Sequence, residues 1–206
     1  MILSREPRIH PVPLLDLRPT QLTVGEREVE AKRRAWRDHP DRDKSDFLGR
    51  HLIPVVCGPK QQYYIIDHHH LALALHREGV REVAVTVVAD VRALPRYAFW
   101  VFLDNRGWLH PFDVTGKRRS YAHLPRRITD LVDDPYRSLA GELRLRGGFA
   151  KDTTPFSEFL WADYLRRRIG QRVVTRHFGR ALARALRLAK ADEAGYLPGW
   201  CGPSDR

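Results

Sequence analysis

Four side chains able to hold or move a proton stand in a row at Asp67-His68-His69-His70. The run follows the aromatic and β-branched stretch Gln62–Ile66 and precedes the Leu- and Ala-rich stretch Leu71–Leu75, so it falls where a strand feeds a helix. Open α/β folds carry their sites at such carboxyl ends of strands. Free amides at a helix start and the positive end of its dipole attract phosphate, and imidazoles donate hydrogen bonds or move protons near neutral pH. A nucleotide or phosphoester suits the place, with Asp67, His69 and His70 binding or activating the phosphate and His68 helping to hold it. The plainer alternative is that Asp67 caps the helix and at least one histidine is buried and satisfied. Consecutive side chains diverge around a helix start, so at most two of the histidines can share one ion, and further ligands such as Asp67 or Glu28 would be needed. The sequence leaves a metal open.

The elements that must position this run can be read on both sides of it. Ile9–Leu17 (IHPVPLLDL) reads as an edge strand, because its prolines cannot donate to a ladder. Val24–Arg37 reads as a helix with an apolar seam at Val29 and Trp36 and a Glu28/Lys32 pair one turn apart. The polar stretch 38–46 reads as a loop. His51–Cys57 and Gln62–Asp67 flank Gly58-Pro59-Lys60-Gln61 and predict a hairpin. His68–Glu78 predicts a helix closed by Gly79, followed by a strand over Glu82–Ala89, which makes a strand-helix-strand crossover.

Past Asp90 the strand signals end. Helices are predicted over Ala93–Asn105, Leu124–Asp133, Pro135–Arg146, Pro155–Ile169 and Gln171–Ala191, with Thr154 as hydroxyl cap before Pro155. The fold class expected is α+β: a small mixed sheet with helices from Arg8 to Asp90, followed by a mainly helical half over residues 91–206.

Composition narrows the function. The 206 residues carry 36 Lys and Arg against 25 Asp and Glu, for a net charge of +11, which biases encounters toward polyanions. Cys57 and Cys201 make neither a disulfide framework nor a zinc knuckle, and a reducing cytoplasm is the expected setting. Met1–Pro7 lacks the apolar stretch of a signal peptide, and no run is long enough to span a bilayer.

A family resemblance rests on longer strings. Leu15-Asp16-Leu17-Arg18-Pro19-Thr20-Gln21, then an apolar strand, then Tyr64 to Ala74 through the DHHH box, resembles the order of the ParB amino-terminal domain, in which a strand runs into a DGHHR or GERR box. PTQxxVG at Pro19–Gly25, RGWxxPFD at Arg106–Asp113, DDPYRSLAGELR at Asp133–Arg144 and AKDTTPFSEFLWADYLRRRI at Ala150–Ile169 are similar to the ParB-like nuclease family of the ParB/sulfiredoxin superfamily and would cover most of the chain. The resemblance implies a ParB/sulfiredoxin-like mixed sheet whose box holds nucleotide phosphates, in members that hydrolyse CTP, bind ATP, phosphorylate serine or are labelled nucleases. The activity implied is nuclease, hydrolase or phosphotransfer chemistry on a nucleotide or nucleic acid, with a nucleoside triphosphate and a divalent metal as the cofactors it leaves open. The alternative is a nucleotide-sensing module that binds DNA or a partner without turnover.

The resemblance also fixes what to expect of other residues. The fold would bring Thr20, Gln21, Arg27 and Glu28 beside the box: Thr20, Gln21 and Arg27 as phosphate or nucleotide contacts, Glu28 as general base or metal ligand. Glu28 could instead do no more than pair with Lys32. His68 stands where relatives have glycine, and Leu71 where they have a phosphate-gripping arginine, for which Arg27 is the substitute expected. His69 stands near the reactive cysteine of sulfiredoxins, so peroxiredoxin repair is not expected.

Two basic or aromatic stretches remain. Trp108 and Phe112 read as anchors of an irregular loop, with base stacking as the alternative, and Lys151 could meet an anion ahead of a helix. Arg176, Arg180, Arg184 and Arg187 share one face of the last predicted helix, a solvated face or a nucleic-acid contact.

Overall fold

Alternation of β-branched residues builds the centre of the fold. The computed structural model describes residues 9–40 and 44–203. Strands β4 (Ile53–Gly58) and β5 (Gln62–Ile65) form the expected hairpin, antiparallel, with Val55 opposite Ile65 and Cys57 opposite Tyr63. On the other side of β4 lies β6 (Glu82–Asp90), parallel to it. Strand β1 (Ile9–Pro13) runs antiparallel along β6 and β2 (Leu17–Pro19) parallel along β5, so the sheet order is β1-β6-β4-β5-β2. The segment expected as one edge strand is thus two strands on opposite edges. The 3-10 turn Leu14–Asp16 separates them, anchored by buried Leu14, whose N–H donates to Arg81 O.

The crossover differs too. Because β4 lies between β5 and β6, the strands flanking the box helix do not pair, and the parallel pairs are β4 with β6 and β2 with β5.

Residues alternate between the two faces of this sheet. Val55 and Ile65 enter a core roofed by α1 (Glu26–Asp38), α3 (His69–Arg77) and Phe47 of α2 (Lys44–Arg50), whereas Val56 and Tyr64 face α4 (Arg96–Asn105) with Phe99 and Leu103. Helix α3 is buried from His69 to Leu75 and ends where Gly79 takes a left-handed φ of 79°, with Val80 N–H donating to Leu75 O and Gly79 N–H to His76 O. The remaining helices, α5 (Pro135–Leu145), α6 (Ser157–Arg166), α7 (Gln171–Arg176) and α8 (Phe178–Ala189), enclose their own core of Leu139, Leu143, Trp161, Tyr164 and Ala185. Helix α5 starts as its sequence dictates: Pro135 holds the first position and the Asp134 carboxylate accepts the Tyr136 N–H at 3.0 Å.

Residues after Asp90 complete both faces of the sheet, Val91 beside α4 and Ile128 with Leu131 beneath α3. A short parallel ribbon, β3 (Thr23–Val24) with β7 (Val132–Asp133), joins the loop before α1 to the start of α5. Here the helix expected over Leu124–Asp133 gives way to 3-10 turns at Tyr121–His123 and Ile128–Asp130 and to β7. The reason is tertiary: Val132 N–H and Asp134 N–H donate to Leu22 O and Val24 O instead of to a helical turn.

Other boundaries move for local reasons. Part of the loop expected over 38–46 is α2 from Lys44, while residues 41–43, like Met1–Pro7, lie outside the described residues. The Thr154 hydroxyl does not cap α6, which begins two residues later behind Phe156 at φ 59°. The cationic helix predicted over Gln171–Ala191 breaks at His177 (φ −135°, ψ 54°) into α7 and α8. Among the described residues no helix is long and apolar enough to cross a membrane.

Candidate functional site

The DHHH box makes the turn from β5 into α3. Asp67 is exposed and its Oδ1 accepts the His68 N–H at 2.6 Å. His68 caps the helix from the left-handed region, φ 66° and ψ 24°, a conformation that favours glycine. This explains why glycine suits the position in the box that the chain resembles.

His69 and His70 turn inward. His69 Nε2 accepts the Thr20 N–H at 3.2 Å, and His70 Nε2 accepts the Gly25 N–H at 2.9 Å. Both rings are buried, at 4% and 9% exposed. Accepting at Nε2 assigns the proton of each neutral ring to Nδ1. Burial, reinforced by positive charge at His68 and Arg137, lowers the His69 pKa to about 3, and burial with Arg137 nearby puts His70 well below the ordinary value. The two imidazoles are neutral clamps on the two ends of the loop 20–25.

That loop is held from every side. Thr20 Oγ1 donates to Ile65 O at 2.6 Å, His110 N–H donates to Thr20 O, and Gln21 Nε2 donates to Thr23 O. Gly25 is required sterically, since a Cβ there would stand 2.8 Å from Ser138 N on α5. The adjacent Arg27 N–H donates to Ser138 Oγ. The start of α1 is therefore clamped between the box and α5.

What this clamp positions is Glu28. Its Oε2 is 3.5 Å from His70 Nε2, at the wall of a cleft of about 590 Å³ bordered by the box, α1, α5 and the start of α6. Burial raises the Glu28 pKa, and Glu158 adds to the effect, while Arg137, Lys32 and Arg144 oppose it. Across the cleft Arg137 Nη2 donates to Glu158 Oε2 at 3.1 Å, and Arg144 Nε lies 2.6 Å from Glu158 Oε1, an ion pair without hydrogen-bond alignment. Arg137 is only 4% exposed and stacks on the Phe159 ring at 4.1 Å, yet its Nε and Nη1 have no protein partner. A buried guanidinium left with unused donors is costly unless an acceptor completes it.

The residues expected at the site divide. Glu28, Asp67, His69, His70 and Gln21 line the cleft, as do Lys151 and Trp108. Thr20 is buried behind it as a scaffold. His68 points away, its side chain 38% exposed and its Nε2 4.0 Å from Asp67 Oδ2. Arg27 does not replace the arginine absent at Leu71, because its guanidinium lies over the Phe178 ring at 3.7 Å. Leu71 is fully buried in the core, and cationic groups come to the cleft from α5 instead. Phe112 stacks on His110, outside the cleft. Arg180, Arg184 and Arg187 are exposed on α8, and Arg176 ends α7.

Arg137, Arg144 and Glu158 were not singled out from sequence. Their signal is an i,i+7 pair of arginines within DDPYRSLAGELR, which in a chain of 36 Lys and Arg cannot be told from solvated charge. His70 Nε2 is spent on the Gly25 N–H, and among the described residues no three His, Cys, Asp or Glu side chains gather for an ion.

Fold and cleft together define an α+β protein with a curled mixed sheet, a box at the carboxyl end of one strand and a cation-walled site beside it. The family model described as "Putative ParB-like nuclease" matches residues 10–167, and the chain belongs to that family. It is similar to protein Atu1540 from Agrobacterium tumefaciens, whose crystal structure matches with a TM-score of 0.88 at 50% identity over 95% of this chain and 99% of that one. The C-terminally truncated chromosome-partitioning protein ParB from Caulobacter crescentus, in complex with CTP-gamma-S, matches at 15% identity over 90% and 94% of the two chains with a TM-score of 0.32. No curated protein matches the chain.

Proposed function

We propose that the cleft binds a phosphate of a nucleotide or nucleic acid and acts on it as a hydrolase or phosphotransferase. The observation that carries this reading is Arg137, buried in the wall with Nε and Nη1 unpartnered. Each of these donors can take an oxygen of an anion. Arg144 and Lys151 add charge at the same cleft. Glu28 would take the proton of the attacking water or hydroxyl as the oxygen bonds to phosphorus and the bond to the leaving oxygen breaks, a role that a raised carboxyl pKa favours near neutral pH. His69 and His70 serve by holding the loop 20–25 in place, and with it the start of the helix that carries Glu28, and Asp67 lines the same cleft. A cytoplasmic setting, and contact of nucleic acid with Arg180, Arg184 and Arg187, belong to the same proposal.

A second reading, a non-catalytic nucleotide sensor, is favoured by the commitment of both imidazole acceptors to backbone N–H groups. One experiment separates the two. Nucleoside triphosphates, free serine with a nucleotide, and single- and double-stranded DNA are offered with and without divalent metal to the wild type, Glu28→Gln and Arg137→Met. Turnover lost in both variants supports the enzyme. Thermal stabilisation by a nucleotide without product supports the sensor. Neither turnover nor a shift would remove the phosphate site.

A further inference from the structure

We infer that a second cleft, on the α4 side of the sheet, binds single-stranded nucleic acid by stacking bases and pairing phosphates. This cavity of about 500 Å³ shares no lining residue with the first. Its wall holds three partly exposed aromatic rings in contact: Trp100 meets Tyr64 edge-on at 5.3 Å and lies nearly parallel to Tyr121 at 6.0 Å. Aromatic faces of this kind accept any base, because every base has a π face.

Charge around the rings is of one sign. Arg18, Lys60, Arg96 and Arg126 line the cavity, and no carboxylate does. Arg18 is fixed in place, its Nε donating to Gln62 Oε1 at 2.7 Å and its Nη1 to Arg126 O at 2.8 Å. Among the described residues no acidic partner engages Lys60, Arg96 or Arg126, whereas Arg33 and Arg37 of α1 and Arg166 of α6 are paired to Glu30, Glu78, Asp134 and Asp163. The nearby Asp104 accepts from the Tyr121 hydroxyl at 2.7 Å and is already matched by Arg118. Lys60, which lines the cavity, and the adjacent Gln61 have consecutive left-handed φ values of 61° and 58°, the kind of backbone strain that collects at ligand clamps.

A strand of nucleic acid, rather than a lone nucleotide, is favoured by the relation of this cleft to the first. Tyr64 lines one and Ile66 the other, two positions apart on the same face of one extended segment. The segment Arg18–Gln21 likewise passes from one to the other. The two clefts are thus neighbours along the same segments, an arrangement that a strand can follow from one to the other.

The test is fluorescence anisotropy of a labelled oligodeoxythymidylate on the full chain, with unlabelled thymidine monophosphate and a duplex of equal length as competitors. The expected result is binding of the single strand that weakens with salt, with Kd raised at least tenfold in Arg96→Glu/Arg126→Glu and at least fivefold in Trp100→Leu. Because Trp100 also packs, Trp100→Phe provides a second reading: it should keep the fold by circular dichroism and lose the quenching of intrinsic tryptophan fluorescence by the oligomer. Arg34→Glu/Arg37→Glu, at exposed positions of α1, should leave Kd within twofold. No binding of the oligomer, equal competition by the mononucleotide or the duplex, or an unchanged Kd in Arg96→Glu/Arg126→Glu would each overturn the inference. Loss in Arg137→Met alone would place the strand in the first cleft, so this inference would fall while the proposed function stood.

Discussion

His70 Nε2 accepts the main-chain N–H of Gly25 at 2.9 Å, tying the first turn of the box helix to the residue that caps α1. This bond makes the box an architectural part of the cleft as much as a chemical one. His70→Ala should leave a buried N–H unpaired and cost roughly 1–3 kcal/mol before any cavity effect. His70→Gln, which can still accept, should recover part of the loss in a urea titration. If the alanine variant keeps its stability, the clamp is not what the histidine is for.

Two buried imidazoles, His69 and His70, and the half-buried His110 set the acid limit of the fold. The pKa of His69 and of His110 falls to about 3 from an ordinary 6.5, and that of His70 lies well below it. The folded state thus resists protonation that the unfolded chain accepts. Their contribution is full above about pH 6.5 and is lost as pH falls toward 3, at up to about 1.4 kcal/mol per pH unit for each histidine. Glu28, with its pKa raised, acts oppositely: its contribution is present below the ordinary 4.5 and is lost as pH rises through its folded value. The denaturation midpoint should therefore drop steeply between pH 6.5 and 5, and His69→Gln should flatten the slope.

Arg137 separates stability from ligand binding. Replacing a buried, incompletely bonded guanidinium by a side chain of similar reach often costs little, because its desolvation is relieved. Glu158 keeps Arg144 as a partner. We expect Arg137→Met to shift Tm by no more than a few degrees while weakening phosphate or nucleotide binding tenfold or more, read by calorimetry.

At His68 the backbone decides. A left-handed φ of 66° is open to glycine and hindered for a branched side chain. His68→Gly should be within about 1 kcal/mol of the wild type, and His68→Val lower by about 1–2 kcal/mol. Both values are measurable by urea denaturation.

If Glu28 is the base, activity should rise with pH through its raised pKa and vanish in Glu28→Gln with ligand affinity preserved. Activity that is flat with pH and survives Glu28→Gln would move the base elsewhere in the cleft.

The hairpin around Gly58, the box helix and its glycine stop, and the capped start of α5 were all readable because each rests on local rules: β-branched alternation, a left-handed C-terminal glycine, an Asp-Pro start. The placing of Glu28 and Gln21 beside the box was what the family resemblance implied. Local pattern misled at Leu124–Asp133, where amide groups found partners in the loop 20–25, and at Gln171–Ala191, where one amphipathic face hid a break at His177.

By itself the sequence determined an α+β chain of strong positive charge with a polar box at the end of a strand, since composition and short-range periodicity carry that information. Which nitrogen of each histidine is spent on a backbone amide, and which of many arginines stands buried with donors to spare, were decided only when α5 packed against α1. Burial and pairing depend on residues more than a hundred positions apart, such as Arg27 N and Ser138 Oγ, and no window along the chain contains both.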